Sequence, residues 1–233
     1  MTKGIVIVDL ETVLQRLPPQ AYIDAHAFDL RTGETFDVAA FRERLTAAGY
    51  VSSSQVMAPG EFAVRGSIID LYPMGSPAPY RIDLFDDEVE SIRVFDPETQ
   101  RSGERAQALR LLPAREFPLT AEGIQNFKRR FRNRFPGDLT RMGLYRDIAE
   151  GAPPPGIEYY LPLFFDATAT LFDYLPGNTI VAVETDVQGP AAQVIGEISS
   201  RYEQRGHDAE RPILAPAEVF TSVDGPTGFI GLI

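Results

Sequence analysis

Cysteine is absent from the 233 residues, so neither disulfides nor thiolate chemistry is available. Histidine occurs only at His26 and His207, far apart in sequence. That disfavours a histidine-rich metal site and leaves only carboxylate sites for hard cations. Lysine occurs only at Lys3 and Lys128, and neither follows a G-x-x-x-x-G-K-[ST] loop. Without that loop the β- and γ-phosphates of a nucleotide have no backbone cradle and no ammonium, which argues against nucleotide hydrolysis. No apolar run approaches the roughly 20 residues that span a bilayer. The opening MTKGIVIVDLET has too short an apolar run for a signal peptide, and no small-residue cleavage site follows it. A cytoplasmic chain is expected. Positive charge is in the minority, with 22 basic against 33 acidic residues and a net charge of −11. That balance disfavours non-specific binding to nucleic acid or to an anionic membrane, since both need a positive field.

What is present reads as globular, with ordinary apolar content and length for one large domain or two small ones. Gly4-Ile5-Val6-Ile7-Val8 is a continuous apolar run, the pattern of a strand buried on both faces. Thr179 to Val183 reads as another such strand. Both ends of the chain look cut, and a fragment of something longer is expected. Residues 26–36 predict a hairpin turning at Thr32-Gly33. Asp37 predicts a capped helix with Phe41, Leu45 and Ala48 inward and Gly49 at its end. Residues 27–113 therefore read as a small α+β unit, inserted between pieces of a parallel sheet. Beyond it, Ile124, Phe127, Phe131 and Phe135 form the apolar stripe of a helix. Its other face holds Lys128, Arg129, Arg130, Arg132 and Arg134, a phosphate-binding face or a solvated one.

The stretch from Gly60 to Arg101 is the most informative. It predicts four consecutive strands with turns at 73–77, 86–87 and 96–99. Side chains alternate between faces along a strand. Tyr80, Ile82 and Leu84 then share one face, and Arg81, Asp83 and Phe85 the other. In the preceding strand Phe62 and Val64 oppose Glu61, Ala63 and Arg65. Arg65, Arg81 and Phe85 are left on the outer face. Either the arginines are solvated and Phe85 folds over a strand end, or the three form a protein-docking patch, whose composition they match. On this reading each is spared from the core, and truncating any of them should leave the melting temperature nearly unchanged. Asp83, Asp86, Asp87, Glu88 and Glu90 cluster around one turn. They suit a solvated hairpin tip, and less well a glycosidase pair or a cation site. Ile180-Val181-Ala182-Val183 followed by Glu184-Thr185-Asp186 is similar to a Walker B strand, a weak signal without its phosphate loop.

The same residues carry a family likeness. GEFAVRGSIIDLYPMGS, PYRIDLFDDEVESIRVFDPETQRS, LLPAREFP, GIEYYLPLFF and LFDYLP occur in that order. The stretch from about Gly4 to Pro212 resembles the N-terminal region of the bacterial transcription-repair coupling factors (Mfd), and more distantly the excision-repair protein UvrB. The resemblance implies an α/β fold with an α+β insertion: a partial, degenerate RecA-like domain interrupted by a small α+β UvrA-binding domain. Residues 1–26 would be the tail of the first RecA-like part, 27–113 the small domain, 114–215 the second part and 216–233 a C-terminal tail. It implies UvrA as partner, bound through Arg65, Arg81 and Phe85. It implies no catalysis and no cofactor or metal in this chain. RNA polymerase, DNA and ATP would be partners of regions outside it. Where UvrB carries an intact D-E-S-H motif, this chain has Glu184-Thr185-Asp186. The expected role is a non-catalytic adaptor that recruits UvrA to stalled RNA polymerase. The competing readings are a UvrB-type helicase lobe and a DNA-clamping module.

Overall fold

The computed structural model describes residues 4–183, 187–208 and 210–221. The chain forms two compact units, one of residues 21–120 and one of residues 1–20 with 121–233. The secondary structure is mixed α/β. Among the described residues no helix is long and apolar enough to cross a membrane.

Helix α1 (Leu10–Leu14) begins where the Asp9 carboxylate accepts the Thr12 N–H at 2.7 Å. Helix α2 (Gln20–His26) leads into strand β1 (Phe28–Arg31). In helix α3 (Val38–Ala47), Asp37 accepts from the N–H groups of Ala39 and Ala40, satisfying two of the donors that a helix start leaves unpaired. Strands β2 (Val51–Ser52), β3 (Glu61–Arg65), β4 (Ile68–Leu71), β5 (Tyr80–Phe85), β6 (Glu88–Phe95) and β7 (Ser102–Ala106) form one sheet in sequence order. Only β2 and β3 are parallel; the other neighbours are antiparallel. The turn between β3 and β4 has two residues, Gly66 and Ser67, with Gly66 at φ +61°, where a Cβ would be strained.

The inner face of this sheet is a single apolar core. Phe62, Ile69, Leu71, Ile82, Leu84 and Ile92 pack with Phe41 and Leu45 of α3 and with Leu30, Leu109 and Leu111. Leu30, Leu109 and Leu111 belong to a separate antiparallel pair, β1 with β8 (Ala108–Leu111). The hairpin expected over 26–36 is therefore replaced. Thr32-Gly33 does turn, but β1 registers Phe28 on Leu111 and Leu30 on Leu109. Residues 33–36 pair instead with the β5–β6 hairpin, where Phe36 N–H donates to Asp87 at 2.6 Å and Gly33 N–H to Val89 at 2.8 Å. The gain is burial: both β1 residues meet apolar partners that a local hairpin would not supply.

The other unit is helical. Helix α4 (Ala121–Arg134) buries Phe127 and Phe131, and Phe135 follows one turn on. Phe127 also stacks on Phe164, with ring centroids 4.9 Å apart. The unit also holds α1, helices α5 (Gly143–Ala149), α6 (Gln188–Arg205) and α7 (Pro216–Val219), and short 3-10 helices at Leu139–Arg141, Ile157–Leu163 and Leu171–Tyr174. Three tyrosines of the GIEYY and LFDYLP motifs pin distant backbone. Tyr159, Tyr160 and Tyr174 donate to the carbonyls of Leu214, Pro212 and Pro18 at 2.6, 2.9 and 2.7 Å.

The two predicted buried strands do not form. Residues 4–8 and 179–183 adopt no strand, and Ile5, Ile7 and Ile180 are more than nine-tenths exposed. A strand apolar on both faces needs a neighbour on each edge and a layer on each side. Among the described residues neither run has one. Glu184-Thr185-Asp186, the Walker-like acidic segment, lies outside the described residues.

Candidate functional site

The outer face of the β2–β7 sheet is not uniformly solvated. Val56, Ala63 and Phe95 form a small apolar cluster on it, with Tyr72 packed alongside. Beside this cluster lies Asp70, whose side chain is wholly buried. Antiparallel register sets Asp70 opposite Ala63 on β3 and opposite Arg81 on β5, so all three share the outer face.

Two guanidinium groups converge on that carboxylate. Arg81 donates through Nε to Asp70 Oδ1 at 2.7 Å and through Nη2 to Oδ2 at 3.0 Å, a bidentate pair. Arg65 donates through Nη2 to the same Oδ2. Arg81 is held further by the Gln100 carbonyl, 3.0 Å from Nη1, and its guanidinium lies 5.0 Å from the centroid of the Phe95 ring. Hydrogen bonding to Asp70 raises the Arg81 pKa above its already high ordinary value. Only 16% of the Arg81 side chain is exposed, against 49% for Arg65.

Phe85 stands apart from this pair. It is 69% exposed, at the end of β5, where Asp86 turns the hairpin at φ +53°. Four residues at the strand rise put it about 13 Å from Arg81 along β5. Burial along β5 alternates as expected: Ile82 and Leu84 are buried, Arg81 and Asp83 half-buried, Phe85 exposed. Arg65 and Arg81 are thus brought together by Asp70, while Phe85 projects alone from the same face.

One expectation is corrected. Arg81 is not free to be truncated without structural cost, because it neutralises a buried carboxylate. Asp70 was missed at the level of sequence, although a signal exists. A two-residue turn at Gly66-Ser67 fixes Arg65 opposite Ile68, which places Asp70 beside Ala63 on the arginine face.

The basic face of α4 is largely occupied within its own unit. Arg134 forms a two-pronged pair with Glu218, at 2.7 Å for the closest contact, and Arg130 pairs with Asp166. Arg132 donates to the Tyr145 hydroxyl at 2.8 Å, and Arg129 to the Asn126 side chain at 3.1 Å. The acidic residues near the β5–β6 turn do not assemble a cation site. Among the described residues no three His, Asp or Glu side chains stand together as a metal ion would require.

Comparison with known proteins matches residues 28–117 to the UvrB interaction domain family. The chain is 40% identical over 225 residues to the transcription-repair-coupling factor of Escherichia coli (strain K12), covering 96% of this chain and 20% of that protein. Against the factor of Haemophilus influenzae it is 42% identical over 224 residues, covering 95% and 20%. Against that of Bacillus subtilis (strain 168) it is 30% identical over 194 residues, covering 77% and 16%. The chain spans a fifth or less of the length of these relatives. With these identities along most of its length and that match over its sheet-bearing unit, the chain belongs to the transcription-repair-coupling factor family.

Proposed function

We propose that this chain is a non-catalytic adaptor whose sheet-bearing unit binds UvrA, and that Arg65, Arg81 and Phe85 are its docking residues. The observation that carries the reading is Phe85. A phenylalanine left 69% exposed at a strand end has no role in the core. It shares its face with two arginines in a stretch matched to the UvrB interaction domain. An apolar anchor on the same face as planar cationic forks suits an interface. In the longer protein this role would recruit UvrA to RNA polymerase stalled on DNA, in the bacterial cytoplasm. Polymerase binding and ATP-driven movement on DNA would then reside in other parts of the protein.

The proposed fold assignment goes with it: a small α+β domain over about 27–113 interrupting a partial, degenerate RecA-like domain over 1–26 and 114–215, with 216–233 as a tail. The support is the run of ordered family motifs along the chain.

Calorimetric titration of UvrA with the parent chain and with Phe85→Ala tests the reading. The parent binds, and Phe85→Ala loses about thirty-fold in affinity, the scale of a roughly 2 kcal/mol hot spot. The melting temperature of Phe85→Ala stays at the parental value. A parent chain that leaves UvrA unbound overturns the proposal.

A further inference from the structure

The outer face carries more positive charge than Asp70 can neutralise. Register places Arg81 directly opposite Arg93 on β6, and Arg93 directly opposite Arg105 on β7. The inner face is occupied by the neighbours of these residues. Ile92 lies in the core, and its partner Ala106 packs against that core, so Arg93 and Arg105 point outward. Three arginines thus stand abreast on adjacent strands, within about 10 Å from first to last. Like charges directly opposite one another weaken a sheet. Asp70, at one end of the row, is already shared by Arg81 and Arg65. Asp83 lies on the same face and accepts from Ser91 Oγ at 2.8 Å. Among the described residues no ion pair involves Arg93 or Arg105. Arg93 is half-buried and Arg105 exposed.

We infer that Arg93 and Arg105 extend the docking face across β6 and β7, and that the partner meets this row with carboxylates of an acidic protein surface. The inference rests on the reading that this face binds UvrA. Charge complementarity selects the occupant. Residues 21–120 carry 16 acidic and 10 basic side chains, so the unit as a whole repels a nucleic-acid backbone. Asp86, Asp87 and Glu88 are exposed beside Phe85 and add to that repulsion. A protein surface can instead present carboxylates to the arginine row and an apolar hollow to Phe85 at once. Unpaired arginines at such a rim act mainly on encounter rate and salt dependence.

The test is titration of UvrA with the whole chain at low and physiological salt, using the parent, Arg93→Glu, Arg105→Glu and Phe85→Ala. Melting curves accompany each variant. Both charge reversals should weaken binding on the order of tenfold or more at low salt and flatten its salt dependence, as like-charge contacts do. Arg105→Glu, at an exposed position, should melt with the parent and so keeps the test valid if Arg93→Glu fails to fold. If the reversals bind as the parent does while Phe85→Ala loses affinity, the row is merely solvated; the inference falls and the docking reading stands. If the parent does not bind UvrA, both fall together. If the parent binds duplex DNA at physiological salt and the reversals abolish that alone, phosphates occupy the row and the inference is wrong.

Discussion

At the scale of single residues, the three arginine-face positions differ in kind. Phe85 is 69% exposed, so its loss should be invisible to stability. Arg81 and Arg65 hold one wholly buried carboxylate between them. Removing Arg81 leaves Asp70 with a single, more exposed partner. The expected cost is about 1–3 kcal/mol, that of leaving a buried polar group under-satisfied. Arg81→Ala should therefore melt below the parent, while Phe85→Ala melts with it; differential scanning calorimetry separates the two. A binding defect in Arg81→Ala is interpretable only beside that melting curve. If both variants melt with the parent, Asp70 is less dependent on Arg81 than its burial implies. Flanked by Ile69 and Leu71, Asp70 reads as an interruption in an apolar strand. Only its cross-strand neighbours turn it into the hub of two guanidiniums.

At the scale of elements, helix α4 shows how a charged stripe can be used locally. Arg134 reaches Glu218 on α7, and the hydrogen bonds from Arg134 lower the Glu218 pKa below its ordinary value of 4.5. The sign follows from linkage. A carboxylate with a depressed folded pKa adds stability above its unfolded pKa and loses it as pH falls through the folded value. The contribution is modest because the pair is partly exposed, with side chains 41% and 34% accessible. Glu218→Gln should thus melt slightly below the parent at pH 7, and the two should converge as pH drops below about 4, near the unfolded carboxylate range. Melting temperatures of both proteins between about pH 3 and 7 check this. A gap that widens on acidification would show that Glu218 is not held ionised by Arg134.

At the scale of the whole molecule, the two units differ in how they are closed. Residues 21–120 own a contiguous core over one face of a six-stranded sheet. The other unit leaves Ile5, Ile7 and Ile180 almost fully exposed. Local stability follows buried apolar contact and sheltered backbone hydrogen bonding. Amides of β4, β5 and β6 should therefore be the slowest to exchange with deuterium in the intact chain, and residues 21–120 made alone should melt cooperatively. Exchange mass spectrometry and a melting curve of the isolated unit are the measurements. Uniformly fast exchange across 21–120 would show that its core depends on the rest of the chain.

Much of the sheet-bearing unit was written in local pattern. Alternation in Tyr80-Arg81-Ile82-Asp83-Leu84-Phe85 sorts core from surface because successive side chains must face opposite ways. Asp37 and Gly49 mark the helix between them because capping is local chemistry. The family motifs were equally legible, since they are strings. Long-range pairing was not. The partner of β1 turned out to be β8, some eighty residues on, where Leu109 and Leu111 meet its apolar side chains. The runs at 4–8 and 180–183 carry strand composition, yet composition supplies no neighbour, and an unpaired strand is left unformed. The sequence determined which face Arg65, Arg81 and Phe85 occupy. Tertiary structure alone decided that Asp70 binds two of them and leaves the third exposed, because that outcome depends on register across three strands and on burial, neither of which is a property of any one segment.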